Sequence, residues 1–238
     1  MHIDRRHFML AGLASTVAWP VAGGASGALV AVAANFMRVA ESLLPRFEAE
    51  TGHHITLTSG ATGQLYGQII NGAPYDAFLA ADQARPARLE RAGLSLGRFT
   101  YARGLLALIA AEGDADEASL HGAFNHLAIA NPALAPYGLA AQLALQAMGL
   151  WPKISDRIVM GQNVGQAYAL VASGNAALGL VAQSYAQAGF WAVPEALYTP
   201  ILQDAVLLQN NVAAADFLAY LGGPEAQMAI RAAGYGAV

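Results

Sequence analysis

Four short stretches of this 238-residue chain combine hydrogen-bond donors with an absence of charge: Ala34-Asn35, Gly60-Ala61-Thr62-Gly63, Ala135-Pro136-Tyr137-Gly138 and Asn163-Val164-Gly165-Gln166. Each falls where a strand or loop pattern hands over to a helical one. A helix start leaves its first N–H groups without intrahelical acceptors and carries the positive end of the helix dipole. Neutral donors of this kind suit a guest that only accepts hydrogen bonds, a fully ionised tetrahedral dianion. Phosphate near neutral pH keeps a proton and also asks for an acceptor such as a carboxylate, and no Asp or Glu lies in these stretches. Dipoles then take the place of Arg or Lys, strengthened by a low-dielectric pocket. Singly, each residue has a plainer explanation. Asn35 and Thr62 can cap helices, Tyr137 can be a packed turn aromatic, and Val164 an ordinary first-turn residue. Only the set of four speaks for a ligand.

The surrounding patterns supply the elements that must hold these stretches. An apolar run over 29–33 reads as a strand. Phe36, Val39, Ala40, Leu43, Leu44 and Phe47 then recur at helical spacing, with Asn35 as N-cap, Gly52 as the stop, and Pro45 predicting a kink or early break. His54 to Ser59 alternates as a strand, a helix carries Leu65, Ile69 and Ile70, residues 76–81 form a buried strand, and Asp82 caps a helix over 83–92. This strand–helix alternation predicts an α/β fold with a largely parallel sheet. After an apolar run over 101–110, a second series begins. Strands are expected at 127–130, 157–160, 177–181 and 205–208, and helices at 138–148, 163–173, 183–188, 211–221 and 224–233. Two lobes follow from this order, with crossings near 101–108 and 196–208. In open α/β sheets ligands sit beyond the carboxyl ends of strands, where the four stretches fall.

Composition excludes several classes of function. Charged residues make up 12% of the chain and hydrophobic residues 56%, which fits a large core and not a disordered chain. The net charge is −4, Lys153 is the single lysine, and no basic cluster follows Arg6, so a nucleic-acid groove is not expected. The absence of cysteine removes disulfides, thiolate metal sites and a lipid-anchored cysteine. Residues 1–28 read as an export signal: Arg5 and Arg6, an apolar run from Phe8 to Ala18, then small residues. Arg5-Arg6-His7-Phe8 fits a twin-arginine signal and an ordinary secretory signal alike.

Other constellations are weaker. His53-His54 reads as a solvated pair, and His121 and His126 as surface or capping residues. Arg85, Arg88 and Arg91 read as a solvated helix face. No nucleophile elbow, Walker loop or complete dinucleotide fingerprint is present.

The ordered set Ala33-Ala34-Asn35-Phe36, Thr58-Ser59-Gly60-Ala61-Thr62-Gly63, Asn71-Gly72-Ala73-Pro74-Tyr75-Asp76, Ala80-Ala81-Asp82, 131–138, 163–167 and 172–179 resembles the periplasmic molybdate-binding proteins of ABC importers, across the whole mature chain. The resemblance implies a type II periplasmic binding protein, two-lobed, with mostly parallel sheets and a hinge of crossover segments that closes on the anion. It implies one lobe from 29–103 and 205–238 and another from 104–204. It places the oxyanion at Ala34, Asn35, Thr62, Tyr137 and Val164, with N–H groups from the last four and the Thr62 hydroxyl as a further donor. Two positions depart from the family. Ala34 stands where many relatives carry Ser or Thr, and Ala182 where some carry a ligand Tyr, so the expectation is a site that either relies on the side chain of Asn35 or binds less tightly.

The function expected is high-affinity capture of molybdate or tungstate for delivery to an ABC transporter, without catalysis. The alternatives are a binder of sulfate or another tetrahedral oxyanion, or an oxyanion sensor without transport. No cofactor is expected, and molybdenum enters only as the bound oxyanion. The expected partners are the anion and a membrane permease, with no nucleic acid, for a monomeric periplasmic protein.

Overall fold

The computed structural model describes residues 26–238. Residues 1–25, most of the expected export signal, lie outside the described residues. Gly27 and Ala28, its last two residues, already belong to the first strand.

Strand β1 (Gly27–Ala33) runs through a 3-10 turn (Ala34–Phe36) into α1 (Met37–Thr51). Then come β2 (His54–Gly60), α2 (Thr62–Ile70), β3 (Ala77–Leu79), α3 (Ala84–Arg91), β4 (Gly97–Gly104) and β5 (Leu106–Ala110). The middle of the chain holds β6 (Leu127–Ala130), α4 (Pro136–Ala147), α5 (Trp151–Ile154), β7 (Ile158–Gly161), α6 (Val164–Ala172) and β8 (Leu178–Ala182). It ends with β9 (Trp191–Ala192), β10 (Ile201–Leu207), α7 (Val212–Gly222) and α8 (Pro224–Ala232).

Two five-stranded sheets result, ordered β2-β1-β3-β10-β4 and β7-β6-β8-β5-β9. Within each, the first three strands pair in parallel and the other two pairings are antiparallel. The sheets are mostly parallel, as expected: in each, four strands run the same way and one, β10 or β5, runs against them. The antiparallel strands are those next to the crossings. The chain leaves the first sheet at the end of β4, enters the second at once in β5, and returns in β10 against the direction of its neighbours.

Side-chain alternation along β1 explains how the first sheet is covered. Ala28, Val30 and Val32 face one way, against Phe36, Val39, Leu43 and Phe47 and the apolar faces of α7 and α8. Ala31 faces the other way, against Leu65, Ile69 and Leu89 from α2 and α3. A third core, built on Leu127, Ile129, Leu145, Val171 and Leu180, fills the second lobe and reaches Ala33 and Ala81 of the first.

Two local expectations change. Helix α1 runs through Pro45 to Thr51 without a break. Pro45 sits on the exposed side, where the freed carbonyl one turn back can meet water, while Leu43 and Phe47 hold the helix to the core. The apolar run over 101–110 contains the expected crossing, with the end of β4 on one sheet and β5 on the other. His53 is buried rather than solvated: its ring lies 3.2 Å from Ser26 Oγ and 3.1 Å from Asp216 Oδ2. Only His54 is exposed, beside Glu48.

Candidate functional site

The four donor stretches converge. Ala34 and Asn35 follow β1, Thr62 follows β2, Tyr137 follows β6 and Val164 follows β7, all at the carboxyl ends of parallel strands. All five expected residues line one small, tight cavity between the lobes. The other lining residues are Ala33, Gly60, Ala61, Ala81, Ala135, Pro136 and Asn163, so no carboxylate, imidazole, ammonium or guanidinium is among them.

Local sequence explains why the free amides face inward. Pro136 takes the first position of α4 and has no N–H, so Tyr137 presents the outermost amide there. In α6, Asn163 Oδ1 accepts from the amide of Gln166 at 3.0 Å, which leaves Val164 N–H unclaimed. In α2, the amide of Gly63 crosses to Leu134 O at 2.8 Å, which leaves Thr62 N–H unclaimed. Among the described residues, no backbone carbonyl accepts from the amides of Asn35, Thr62, Tyr137 or Val164. All four residues are almost fully buried. Buried N–H groups left unpaired are costly, so an acceptor for them is the natural complement of this cavity.

Thr62 adds a hydroxyl. It does not cap α2, since Ala61 holds the cap position. Its Oγ1 accepts from Ala81 N at 3.2 Å and donates to no protein acceptor among the described residues, so its proton is available to the cavity. Asn35 likewise caps nothing: it lies within the 3-10 turn, and Phe36 precedes α1. Nor is its side chain a spare donor. Asn35 Nδ2 donates to Gln203 Oε1 at 2.9 Å and to Tyr235 Oη at 3.0 Å, which occupies both amide hydrogens. The Asn35 carbonyl accepts from Tyr235 Oη at 2.7 Å and Ser184 Oγ at 3.1 Å. This residue is clamped so that its backbone amide, not its side chain, is what the cavity meets.

The place of Ala182 is also resolved. Three residues on, Tyr185 reaches across the cleft and donates to Ala34 O at 2.7 Å. Arg38 of α1 lies 4.7 Å from the Tyr185 ring centre and 5.0 Å from that of Tyr168, a cation–π contact between the lobes at the mouth of the cleft. Arg85 is no solvated arginine either: it pairs with Asp82, whose Oδ1 also accepts from Arg85 N at 2.9 Å although Gln83 holds the cap position of α3, and it reaches Ala133 O across the cleft at 3.2 Å. A larger groove of about 350 Å³ opens beside the cavity, lined by apolar residues such as Leu139, Leu143 and Ile201. It offers an anion little, because its Arg85 is already paired.

Sequence reasoning missed Gln203, Tyr235, Tyr101, Ser184 and Tyr185. Only Gln203-Asp204 carried a signal, as two polar residues in the middle of an apolar strand. Burial raises the Tyr101 and Tyr137 phenols well above the ordinary tyrosine range, and Tyr235 upward too, so this layer stays protonated at neutral pH.

The described residues contain no helix long and apolar enough to cross a membrane and no cluster of three metal-binding side chains. A family model described as bacterial extracellular solute-binding protein matches residues 28–236. The molybdate-binding protein ModA of Azotobacter vinelandii is 44% identical over 223 residues, 87% of this chain and 88% of that one. The ModA protein of Rhodobacter capsulatus is 40% identical over 231 residues, 92% of this chain and 91% of that one. The solved structure of the Azotobacter vinelandii periplasmic molybdate-binding protein superposes with a TM-score of 0.84 at 39% identity, covering 89% of this chain and 99% of that one. With nearly all of the described residues matched, the chain belongs to the bacterial extracellular solute-binding protein family.

Proposed function

We propose that this protein captures molybdate or tungstate outside the cytoplasmic membrane and hands it to the permease of an ABC importer, without chemistry on the anion. The observation that carries this reading is the meeting of four unclaimed amides and one free hydroxyl, from both lobes, around a cavity with no charged lining. Such a site satisfies an ion that accepts at every oxygen and offers no acceptor to a protonated one. The dipoles of α2, α4 and α6, equivalent to about half a positive charge at each N-terminus, complement the negative charge. The relatives named for molybdate support the choice of anion. Capture occurs in an open form, and donors from both lobes favour the closed form that a permease recognises. The segment ahead of β1 serves as the export signal, by either the twin-arginine or the general route.

A thermal-shift series tests this. Millimolar molybdate and tungstate raise Tm, and nitrate, planar and singly charged, does not. Equal shifts with all three, or none, contradict it. Competition by sulfate, a smaller dianion, then measures size selection.

A further inference from the structure

The mechanism of capture leaves one buried polar side chain unused. Gln203 is fully buried in β10, the strand by which the chain returns from one sheet to the other. The ladder between β10 and β4 carries a β-bulge here, with Tyr101 of β4 as the extra residue, and Gln203 and Asp204 point to opposite faces of the sheet, both of them covered. Asp204 is held within the first lobe by Gln83, Thr100 and Arg98. Gln203 turns toward the cavity. Its Oε1 accepts from Asn35 Nδ2 at 2.9 Å and from Tyr101 Oη at 3.0 Å, which fixes the orientation of the amide. Its Nε2 then donates to Tyr137 Oη at 3.2 Å. Asn35 follows β1 of the first lobe, and Tyr137 follows β6 of the second, so one amide joins an anion-site residue on each side of the cleft.

The other crossing is shaped to the same contact. A Cβ at Gly104, the last residue of β4, would collide with Tyr137 Oη and come within 2.6 Å of Gln203 Nε2. The space kept free there is the space that the hydrogen bond occupies.

We infer that Gln203 is a positioning residue for anion binding: through Asn35 and Tyr137 it ties the two halves of the site together across the hinge and helps hold the closed form. It touches no anion. Rotation of the lobes about the crossings separates Asn35 from Tyr137, so opening must give up the bond between Gln203 and Tyr137. This inference rests on the anion site proposed above.

The test is Gln203→Met in the full exported chain, with molybdate affinity and dissociation rate measured beside the Tm of the anion-free protein. Affinity is expected to fall roughly tenfold, as for one lost buried hydrogen bond, mostly through faster dissociation. A residue that only stabilises the fold lowers Tm and leaves the affinity alone. The same substitution in a Tyr137→Phe background, which keeps the Tyr137 amide, is expected to cost less than about twofold more, because the two share one interaction. Unchanged affinity, or losses that add in full, overturns the inference. If Gln203→Met does not fold, Tyr137→Phe removes the other end of the bond: a similar loss supports the inference and unchanged affinity overturns it. Thr62→Ala separates the two levels. If it leaves affinity unchanged, the site itself is misplaced. If it weakens binding while Gln203→Met does not, only the role of Gln203 falls.

Discussion

Thr62 is where the chemistry of single residues can be weighed. Its hydroxyl accepts from Ala81 N and has its own proton free, in a place almost without solvent. A hydrogen bond from a buried donor to a charged group contributes about 1.5–3 kcal/mol, so Thr62→Ala is expected to weaken molybdate binding by about 10- to 100-fold in a calorimetric titration. Thr62→Ser keeps the donor and is expected to restore most of that loss. The placement of Thr62, Tyr137 and Val164 was legible in the sequence because each stands at a helix start after a strand. The part played by Asn35 was only half legible. Its position beside the cavity followed from the pattern, but the fate of its side chain depends on Gln203 and Tyr235, 168 and 200 residues away. No local pattern encodes such a contact.

Gly138 sets the limit at the scale of elements. A Cβ there would run into Ala130 O and lie 2.7 Å from Ala130 C, so the start of α4 can approach the end of β6 only because this residue has no side chain. That approach delivers the Tyr137 amide to the cavity. Gly138→Ala is expected to destabilise the protein by about 1–3 kcal/mol in urea unfolding and to weaken anion binding as well, since α4 must shift away. Unchanged affinity with lowered stability would mean that the helix start tolerates displacement. Most strands and helices were legible from alternation and helical spacing, because their apolar faces are packed. The crossing near residues 101–108 was legible as well, and the chain changes sheets there at Gly104-Leu105, between β4 and β5. What escaped was the passage of α1 through Pro45, because it depends on which side of the helix faces water.

The response to alkali belongs to the whole molecule. Tyr101, Tyr137 and Tyr235 are buried, and burial raises all three above the ordinary phenol value. The folded protein therefore holds these protons more tightly than the unfolded chain. Their contribution to stability is complete below the unfolded tyrosine pKa of about 10 and is lost as pH rises beyond it. Thermal unfolding is expected to show no tyrosine-linked change between about pH 6 and 9 and a falling Tm above about 10, less steep in Tyr137→Phe. A Tm that does not fall in alkali would contradict the closed, dry layer beneath the cavity. The two-lobed plan was legible in the order of strands and helices. The reversed course of β5 and β10 was not, because it comes from how the crossings feed them into sheets that already have parallel cores.

The most direct test is the position of the metal in a tungstate complex, located by its anomalous scattering. The expected peak lies in the cavity between the lobes, with its oxygens within hydrogen-bond reach of the amides of Asn35, Thr62, Tyr137 and Val164 and of the Thr62 hydroxyl. A peak elsewhere, or one held by Arg38 or Arg85, would contradict capture of a dianion by uncharged donors.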